Sequence, residues 1–281
     1  GDGFFYSRYP APEKGKELST KNENHQVFYH KVGTQQENDQ LVFEDPANPQ
    51  RFHTVFTDET ERYVFLVISD RGKGKDGNAL WYYDSHSGDK KFKPIIQEAD
   101  KYNYNFITET GGRFILLTND GALNRRLISV DPMDPSPGKW NSVIAEKPEN
   151  ISSATSAGGK LVITYLKDVT NRVYVHDLKG KLEREVKLPA LGSVGGFGGL
   201  KDDKEVFYTF TSITFPPTIY RYTIATGQSA LFRKPEVKFN PDDYITEQVF
   251  YPSKDGTKVP MFITYKKGTV KNGKNPAILY G

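Results

Sequence analysis

The sequence predicts an all-β protein arranged as a partial β-propeller, and three observations carry this prediction. Aromatic residues are abundant, with 17 Tyr and 18 Phe in 281 residues, and such side chains favour strands over helical bundles. A turn followed by an apolar strand recurs at intervals of roughly 45 to 58 residues, as in propeller blades. The strand count per interval is nearly constant, which favours a propeller over a sandwich.

Each repeat contains three regular strands, and four of the repeats begin with a further, less regular strand. The first regular strands are predicted at 4–6, 63–68, 114–117, 161–165 and 205–210, and the second at 26–32, 79–83, 126–130, 172–176 and 218–224. Outer strands are predicted at 41–44, 93–97, 140–145, 182–187 and 230–233, and the irregular ones at 51–56, 102–107, 150–155 and 193–200. We therefore predict about four and a half blades, the first without its innermost strand.

The propeller is predicted to end at Phe239. Residues 240–243 are turn formers, and Pro241 cannot donate a hydrogen bond to a sheet. The next segment alternates as a strand does, turns at Asp255 and Gly256, and returns at 259–265, which predicts a hairpin. We therefore expect one domain at 1–239 and the first strands of a second domain at 240–281.

The last residues add a further strand to this prediction. Residues 276–280 form a short apolar run, which is typical of a buried strand. The chain begins with Gly1 rather than Met and stops at Gly281, directly after this run. We therefore expect a piece of a longer protein.

Charge and composition argue against several classes of function. The formal net charge is only +3 with charges mixed along the chain, whereas nucleic-acid-binding surfaces cluster Lys and Arg. No apolar run approaches the ~20 residues that cross a bilayer. There is no Cys, which fits a reducing compartment, and the five His include no helical i, i+4 pair. We expect no nucleic acid, no membrane partner, no metal and no cofactor.

Three short motifs resemble functional sequences without meeting their requirements. Ser193 lies in LGSVGG, but a nucleophile elbow needs G-x-S-x-G before a helix, so a glycine-rich inner strand is predicted. Residues 72–77, GKGKDG, lack the Lys-Ser/Thr ending of a phosphate-binding loop and indicate a hairpin loop. Asn150 begins a glycosylation sequon, which would be inert in a cytosolic protein.

Two segments near the end of the chain carry a resemblance to a known family. Residues 250–262, FYPSKDGTKVPMF, and 276–281, PAILYG, resemble the start of the hydrolase domain of the prolyl oligopeptidases. The similarity extends along the whole chain. It implies a propeller of the seven-bladed type followed by the first strands of an α/β-hydrolase domain. The family's oxyanion tyrosine and its catalytic serine, aspartate and histidine come later and are not in this chain.

The resemblance also implies a function for the longer protein. Members of the prolyl oligopeptidase family are cytosolic serine endopeptidases that cleave short peptides after proline, and their propeller limits access to the active site. The expected partners are short proline-containing peptides and the missing half of the hydrolase domain, and the expected location is the cytoplasm. By itself the chain is predicted to be inactive, because it has no catalytic triad.

The resemblance suggests two substrate-binding residues and no catalytic residue. Phe5, in Gly3-Phe4-Phe5-Tyr6, matches a phenylalanine that lines the apolar substrate cavity, although it also suits the core of a blade. Arg71, in Ser69-Asp70-Arg71-Gly72, matches an arginine on the propeller face near the bound peptide. A solvated loop arginine is the alternative interpretation of Arg71.

Two other functions stay open on the sequence. The first is a non-catalytic propeller that binds protein partners. The second is a related serine oligopeptidase with a preference for basic or acylated residues. A ring-stacking apolar pocket would suit proline, whereas paired carboxylates would suit a basic side chain.

Overall fold

A computed structural model describes residues 2–72 and 74–280, and within them the regular structure consists of β-strands and three short 3-10 turns. The predicted loop residue Lys73 and the terminal residues Gly1 and Gly281 lie outside the described part. No helix among the described residues has the length and apolar character needed to span a membrane.

The chain divides into two compact units. The first comprises residues 1–150 together with 178–180, and the second comprises 151–177 together with 181–281. In both units every sheet is antiparallel, and nearly all strands pair with their neighbours in sequence. This topology needs only short connections and gives each strand a partner that is close in the chain.

The first unit contains three sheets. Sheet one has three strands: β1 (Gly3–Arg8), β2 (Gln26–Lys31) and β3 (Gln40–Phe43). Sheet two has four: β4 (Phe52–Thr57), β5 (Tyr63–Ser69), β6 (Asn78–Asp84) and β7 (Lys93–Ile96). Sheet three has four: β8 (Tyr104–Thr110), β9 (Arg113–Thr118), β10 (Arg126–Val130) and β11 (Asn141–Ile144).

The second unit contains two further sheets and a hairpin. Sheet four has β12 (Asn150–Ala157), β13 (Lys160–Lys167), β14 (Thr170–Asp177) and β15 (Leu182–Val186). Sheet five has β16 (Ser193–Gly196), β17 (Glu205–Thr211), β18 (Thr218–Thr223) and β19 (Gln228–Arg233). The hairpin is β20 (Tyr244–Pro252) with β21 (Lys258–Lys266).

The all-β prediction is confirmed, as is the pattern of one three-stranded sheet followed by four four-stranded sheets. The strand predicted at 193–200 is shorter than expected and ends at Gly196. Gly196 has φ +111° and Phe197 has φ +68°, and neither value belongs to extended backbone. Glycine adopts the positive φ at position 196 without steric cost, and this change of chain direction lets the Phe197 ring pack inward.

The prediction of a strand at residues 276–280 is wrong. These residues form no strand, and Ile278, Leu279 and Tyr280 are 97%, 89% and 97% exposed. An apolar run forms a strand only where another strand accepts its hydrogen bonds and a second layer covers its side chains. Among the described residues, no strand pairs with this segment.

The core of the first unit is aromatic and lies between the faces of neighbouring sheets. Phe65 of β5 and Phe114 of β9 are completely buried. The ring centroid of Phe65 is 5.1 Å from that of Phe114 and 4.2 Å from that of Phe106 in β8. Because side chains alternate across a strand, these rings can meet only when sheets two and three pack face to face.

The core of the second unit also lies between the faces of neighbouring sheets. In β17, Val206, Tyr208 and Phe210 are buried, while the side chains between them are more exposed. Phe197 stacks on Tyr208 with a centroid distance of 4.4 Å and an angle of 11° between the rings. Val175 of sheet four belongs to the same buried cluster, so sheets four and five pack face to face.

Two histidines join the segment before β2 to strand β4. The backbone N–H of His53 donates to Nδ1 of His25 over 3.0 Å, and Nδ1 of His53 donates to the carbonyl oxygen of His25 over 2.7 Å. His53 is 1% exposed, and its Nε2 is buried with no hydrogen-bond partner among the residues that the structure describes. Burial lowers the pKa of His53, and burial followed by the charge of His53 lowers the pKa of His25.

The turn between β13 and β14 has an unusual residue. Lys167 pairs with Thr170, so the loop has only two residues, Asp168 and Val169. Both have positive φ, at 47° and 63°, as a type I′ hairpin turn requires. Val is β-branched and is a rare residue in this conformation, whereas glycine is the common one.

The histidine pair makes stability depend on pH. Because both pKa values lie below the ordinary 6.5, the unfolded chain binds more protons than the folded one as the pH falls through 6.5. The stability that neutral His25 and His53 contribute is therefore present above this pH and is lost below it. We expect a lower urea midpoint at a pH of about 5.5 than at about 7.5.

A matched pair of variants tests this pH dependence. His25→Asn keeps an acceptor for the His53 N–H and removes one titrating group, so the pH dependence should become weaker. His86→Asn changes an exposed turn residue and should leave the dependence as it is. Equal pH profiles for His25→Asn and the unchanged protein would contradict the assignment.

Val169→Gly is expected to stabilise the protein by about 0.5 to 1 kcal/mol, because relief of backbone strain exceeds the added entropy of the unfolded chain. Urea denaturation measures this change. Val32→Gly is the control, since Val32 is also exposed but does not have positive φ. It should be neutral or destabilising, and a lower urea midpoint for Val169→Gly would show that the turn is not strained.

Candidate functional site

Arg71 lies in the loop after β5 and is exposed. Its guanidinium carbon is 4.1 Å from the ring centroid of Phe52, which is a cation–π distance. Its Nη2 donates to the hydroxyl oxygen of Tyr9 over 2.9 Å. No other hydrogen-bond partner of Arg71 is found within residues 2–72 and 74–280, so most of its five N–H donors face solvent.

The local sequence explains why Arg71 lies over Phe52. Phe52 opens β4 and pairs with Ser69 at the end of β5. Oδ1 of Asp70 then accepts from the backbone N–H of Gly72 over 2.8 Å, which is an Asx-type turn. This turn folds the chain back after β5, so Arg71 stays beside the residue opposite Ser69.

Tyr9 and His25 complete a group that we call the Arg71 cluster: Tyr9, His25, Phe52 and Arg71. The Tyr9 ring is 4.8 Å from the His25 ring, and the His25 ring is 5.7 Å from the Phe52 ring. The nearby Arg71 also contributes to the lowered pKa of His25, after burial and His53. His25 is therefore neutral at neutral pH, and Arg71 is the cation of the cluster.

The chemistry available to the Arg71 cluster is recognition rather than bond breaking. Arg71 carries a guanidinium whose N–H donors suit a carbonyl or carboxylate oxygen. The ring face of Phe52 and the hydroxyl oxygen of Tyr9 orient the guanidinium. No group of three metal-ligating side chains occurs in the described part of the chain.

Phe5 lies elsewhere in the first unit, within β1. Its ring is 5.1 Å from that of Tyr29, and it packs against a buried cluster that includes Val27 and Leu66. The preceding residue, Phe4, points to the opposite face of the strand, where it is 52% exposed and contacts His30 at 5.1 Å. Among the described contacts, none joins Phe5 to the Arg71 cluster.

The remaining motifs have structural roles. Ser193 begins β16 and pairs with Thr211, so it lies in a strand and not at a strand-to-helix turn. Asn150 begins β12. Gly72 and residues 74–77 lie between β5 and β6, and Asp70 accepts from the Gly72 N–H and from the Lys75 ammonium.

Sequence reasoning missed Tyr9, His25 and Phe52. Tyr9 and Arg71 are 62 positions apart, and a single sequence contains no signal for such a contact. Phe52 was part of a predicted irregular strand, but its face could not be assigned from an apolar pattern.

A cavity in the second unit lies away from both predicted site residues. It has a volume of about 910 Å³. Its walls are Phe215, Pro216, Leu231 and residues 234–242, with others from β18. Neither Phe5 nor Arg71 lines it.

Comparison with known proteins identifies the chain's relatives. The prolyl endopeptidase of Elizabethkingia meningoseptica is 42% identical over 279 residues, which are 99% of this chain and 39% of the relative. The prolyl oligopeptidase ophP of Omphalotus olearius is 33% identical over 99% of this chain and 38% of the relative. The chain therefore spans about two fifths of the curated relatives it matches.

Solved structures agree with these sequence matches. A structure from a study of two prolyl endopeptidases superposes with a TM-score of 0.82 and 34% identity, over 95% of this chain and 38% of the other. Prolyl oligopeptidase B of Galerina marginata, bound to a 35mer hydrolysis and macrocyclization substrate, superposes with a TM-score of 0.82 and 28% identity. That match covers 96% of this chain and 38% of the other.

The sequence profile described as "Prolyl oligopeptidase, N-terminal beta-propeller domain" matches residues 1–235, which include all five sheets. The matched range, the 42% identity and the shared fold lead to one conclusion. The chain belongs to the prolyl oligopeptidase family and contains part of that family's β-propeller.

Proposed function

We propose that the full-length protein is a serine endopeptidase that hydrolyses short peptides after proline, and that this chain forms its substrate-limiting propeller. The observation that supports this most directly is the 42% identity to a prolyl endopeptidase over 99% of the chain. The peptide-bound structure of a relative adds that a protein of this fold binds a peptide substrate. The zero Cys content is consistent with the proposed cytoplasmic location.

We propose the domain boundary at Phe239, with 1–239 as propeller and 240–281 as the start of the hydrolase domain. The 3-10 turn Pro241–Asp243 follows, with Asn240 Oδ1 accepting from the Asp242 N–H over 3.2 Å. This cap separates β19 from the long hairpin β20–β21. Gln248 of the hairpin donates to the carbonyl oxygen of Asp168, which fixes one point of the hairpin against sheet four.

Hydrolysis would need groups that this chain does not supply. Acyl transfer by a serine peptidase requires a serine nucleophile, a histidine base held by an acid, and an oxyanion hole. In the proposed enzyme these groups belong to the remainder of the hydrolase domain. The propeller's contribution is to exclude folded proteins and to bind the peptide chain beside the active site.

Within this function we propose Arg71 and Phe5 as substrate-contacting residues. The exposed donors of Arg71 suit a peptide carbonyl or carboxylate, and the ring of Phe5 suits an apolar side chain. The support for Arg71 is its geometry: one edge of the guanidinium is used by Tyr9 and one face by Phe52, and the rest is accessible. The support for Phe5 is the family resemblance of its segment.

An activity assay tests the proposed reaction. The full-length protein should cleave a chromogenic peptide with proline before the scissile bond, and a matched peptide with alanine should react far more slowly. A serine-reactive fluorophosphonate should abolish cleavage, and the 281-residue chain should show no turnover. Faster cleavage after Lys or Arg would favour an oligopeptidase of different specificity, and an inactive full-length protein would favour a binding module.

The Arg71→Met variant tests the proposed contact. Loss of a charged hydrogen bond to substrate should lower kcat/KM by roughly tenfold, mostly through a higher KM. Arg62→Met is the matched control, since Arg62 also lies over a ring, that of Tyr63, at the other end of β5. Unchanged kinetics for Arg71→Met, or an equal effect from Arg62→Met, would remove Arg71 from the binding site.

A further inference from the structure

Arg51 directly precedes Phe52 of the Arg71 cluster, is mostly buried, and contacts three carboxylates. Arg51 Nη1 is 3.3 Å from Oδ2 of Asp45, Nε is 3.4 Å from Oδ2 of Asp70, and Nη2 is 2.9 Å from Oε2 of Glu98. The side chain of Arg51 is 14% exposed, that of Asp70 13% and that of Asp45 18%, whereas Glu98 is 60% exposed. Glu98 thus makes the shortest contact from an exposed position, and Asp45 and Asp70 are the enclosed partners of Arg51.

The positions of these residues link Arg51 to Arg71. Arg51 and Phe52 are consecutive, and so are Asp70 and Arg71. Arg51 contacts Asp70, while the next residue, Phe52, contacts Arg71. Arg51 thus holds Asp70 by charge, and Phe52 holds Arg71 by its ring face. Both contacts join the start of β4 to the loop after β5.

Asp70 is the residue through which Arg51 can act on the loop. The Gly72 backbone N–H, followed by the Lys75 ammonium, holds the pKa of the Asp70 carboxyl below its usual range, so it is charged at neutral pH. One of its oxygens makes the turn with Gly72, and the other faces both Arg51 and Lys75. Lys75 is a flexible, 43% exposed partner, whereas the fork of Arg51 is planar and enclosed.

We propose that Arg51 is a positioning residue for substrate binding, because it fixes Asp70 in the turn that directs Arg71 over Phe52 and towards the peptide. This inference rests on the proposed peptidase function and on Arg71 as a substrate contact. Arg51 itself touches no substrate in this arrangement. Without the charge of Arg51, Asp45 and Asp70 lose their shared cation, and the turn after β5 loses the partner that directly precedes β4.

The experiment uses the full-length protein with the proline reporter peptide. Arg51→Lys keeps the charge but loses the fork, and Arg51→Met loses both. We expect KM to rise about threefold for Arg51→Lys and about tenfold for Arg51→Met, with kcat nearly unchanged. The decisive measurement is a double-mutant cycle: in the Arg71→Met background, Arg51→Met should add less than about a twofold change.

Controls separate positioning from general stability. Arg62 donates from Nε and Nη2 to Oδ2 of Asp84 in the same sheet, so Arg62→Met removes a more exposed arginine–carboxylate pair away from the cluster. Arg62→Met should leave KM unchanged even if it lowers the melting temperature as much as Arg51→Met does. Should Arg51→Met fail to fold, Asp70→Asn takes its place in the cycle, since the amide keeps the Gly72 contact and loses the charge.

Several results would overturn the inference while leaving the peptidase function intact. These are an unchanged KM for the Arg51 variants, an effect on KM that persists in full when Arg71 is absent, or an equal effect from Arg62→Met. If the full-length protein does not cleave the reporter, the proposed function fails and crystallography decides the geometry. Arg71 still lying about 4 Å from the Phe52 ring in Arg51→Met would then refute the positioning role.

Discussion

Burial of aromatic side chains between neighbouring sheets is the interaction on which the rest of this structure depends. A β-sheet has two faces, and strands such as β5 have buried residues on both, so one sheet alone cannot satisfy them. Phe65 and Phe114 lose all exposure when sheets two and three meet. Each such ring removes about 150–250 Å² from water, which contributes on the order of 4 to 6 kcal/mol at about 25 cal/mol per Å².

The same packing gives the loops a rigid base. Arg71 lies just beyond the last residue of β5, and Phe52 lies at the first residue of β4, so both are attached to strands held by that core. The polar contacts around them then need to fix only a short loop. A single hydrogen bond contributes little net free energy, but several short-range contacts on a rigid support can determine the orientation of one guanidinium.

The last residues of the chain show that a local apolar pattern does not by itself make a strand. The hairpin β20–β21 forms because its partner strands are joined by a short turn and supply each other's hydrogen bonds. The apolar run 276–280 has as strong an apolar pattern, yet it is exposed, because strand formation needs a partner outside the segment. Relatives of the family are longer than this chain, which covers about 39% of the Elizabethkingia meningoseptica protein.

The sequence by itself determined the all-β class, the order of the strands in the five propeller sheets, and the family, because strand periodicity, turn residues and long similar segments are local properties of a chain. It also directed attention to Arg71 by resemblance. Only the tertiary structure decided that Tyr9, His25 and Phe52 surround Arg71, that Arg51 shares Asp70 with that loop, and that Phe5 packs into the first unit's core. These contacts join residues that are distant in sequence, and their geometry follows from sheet register and sheet packing, which no local pattern encodes.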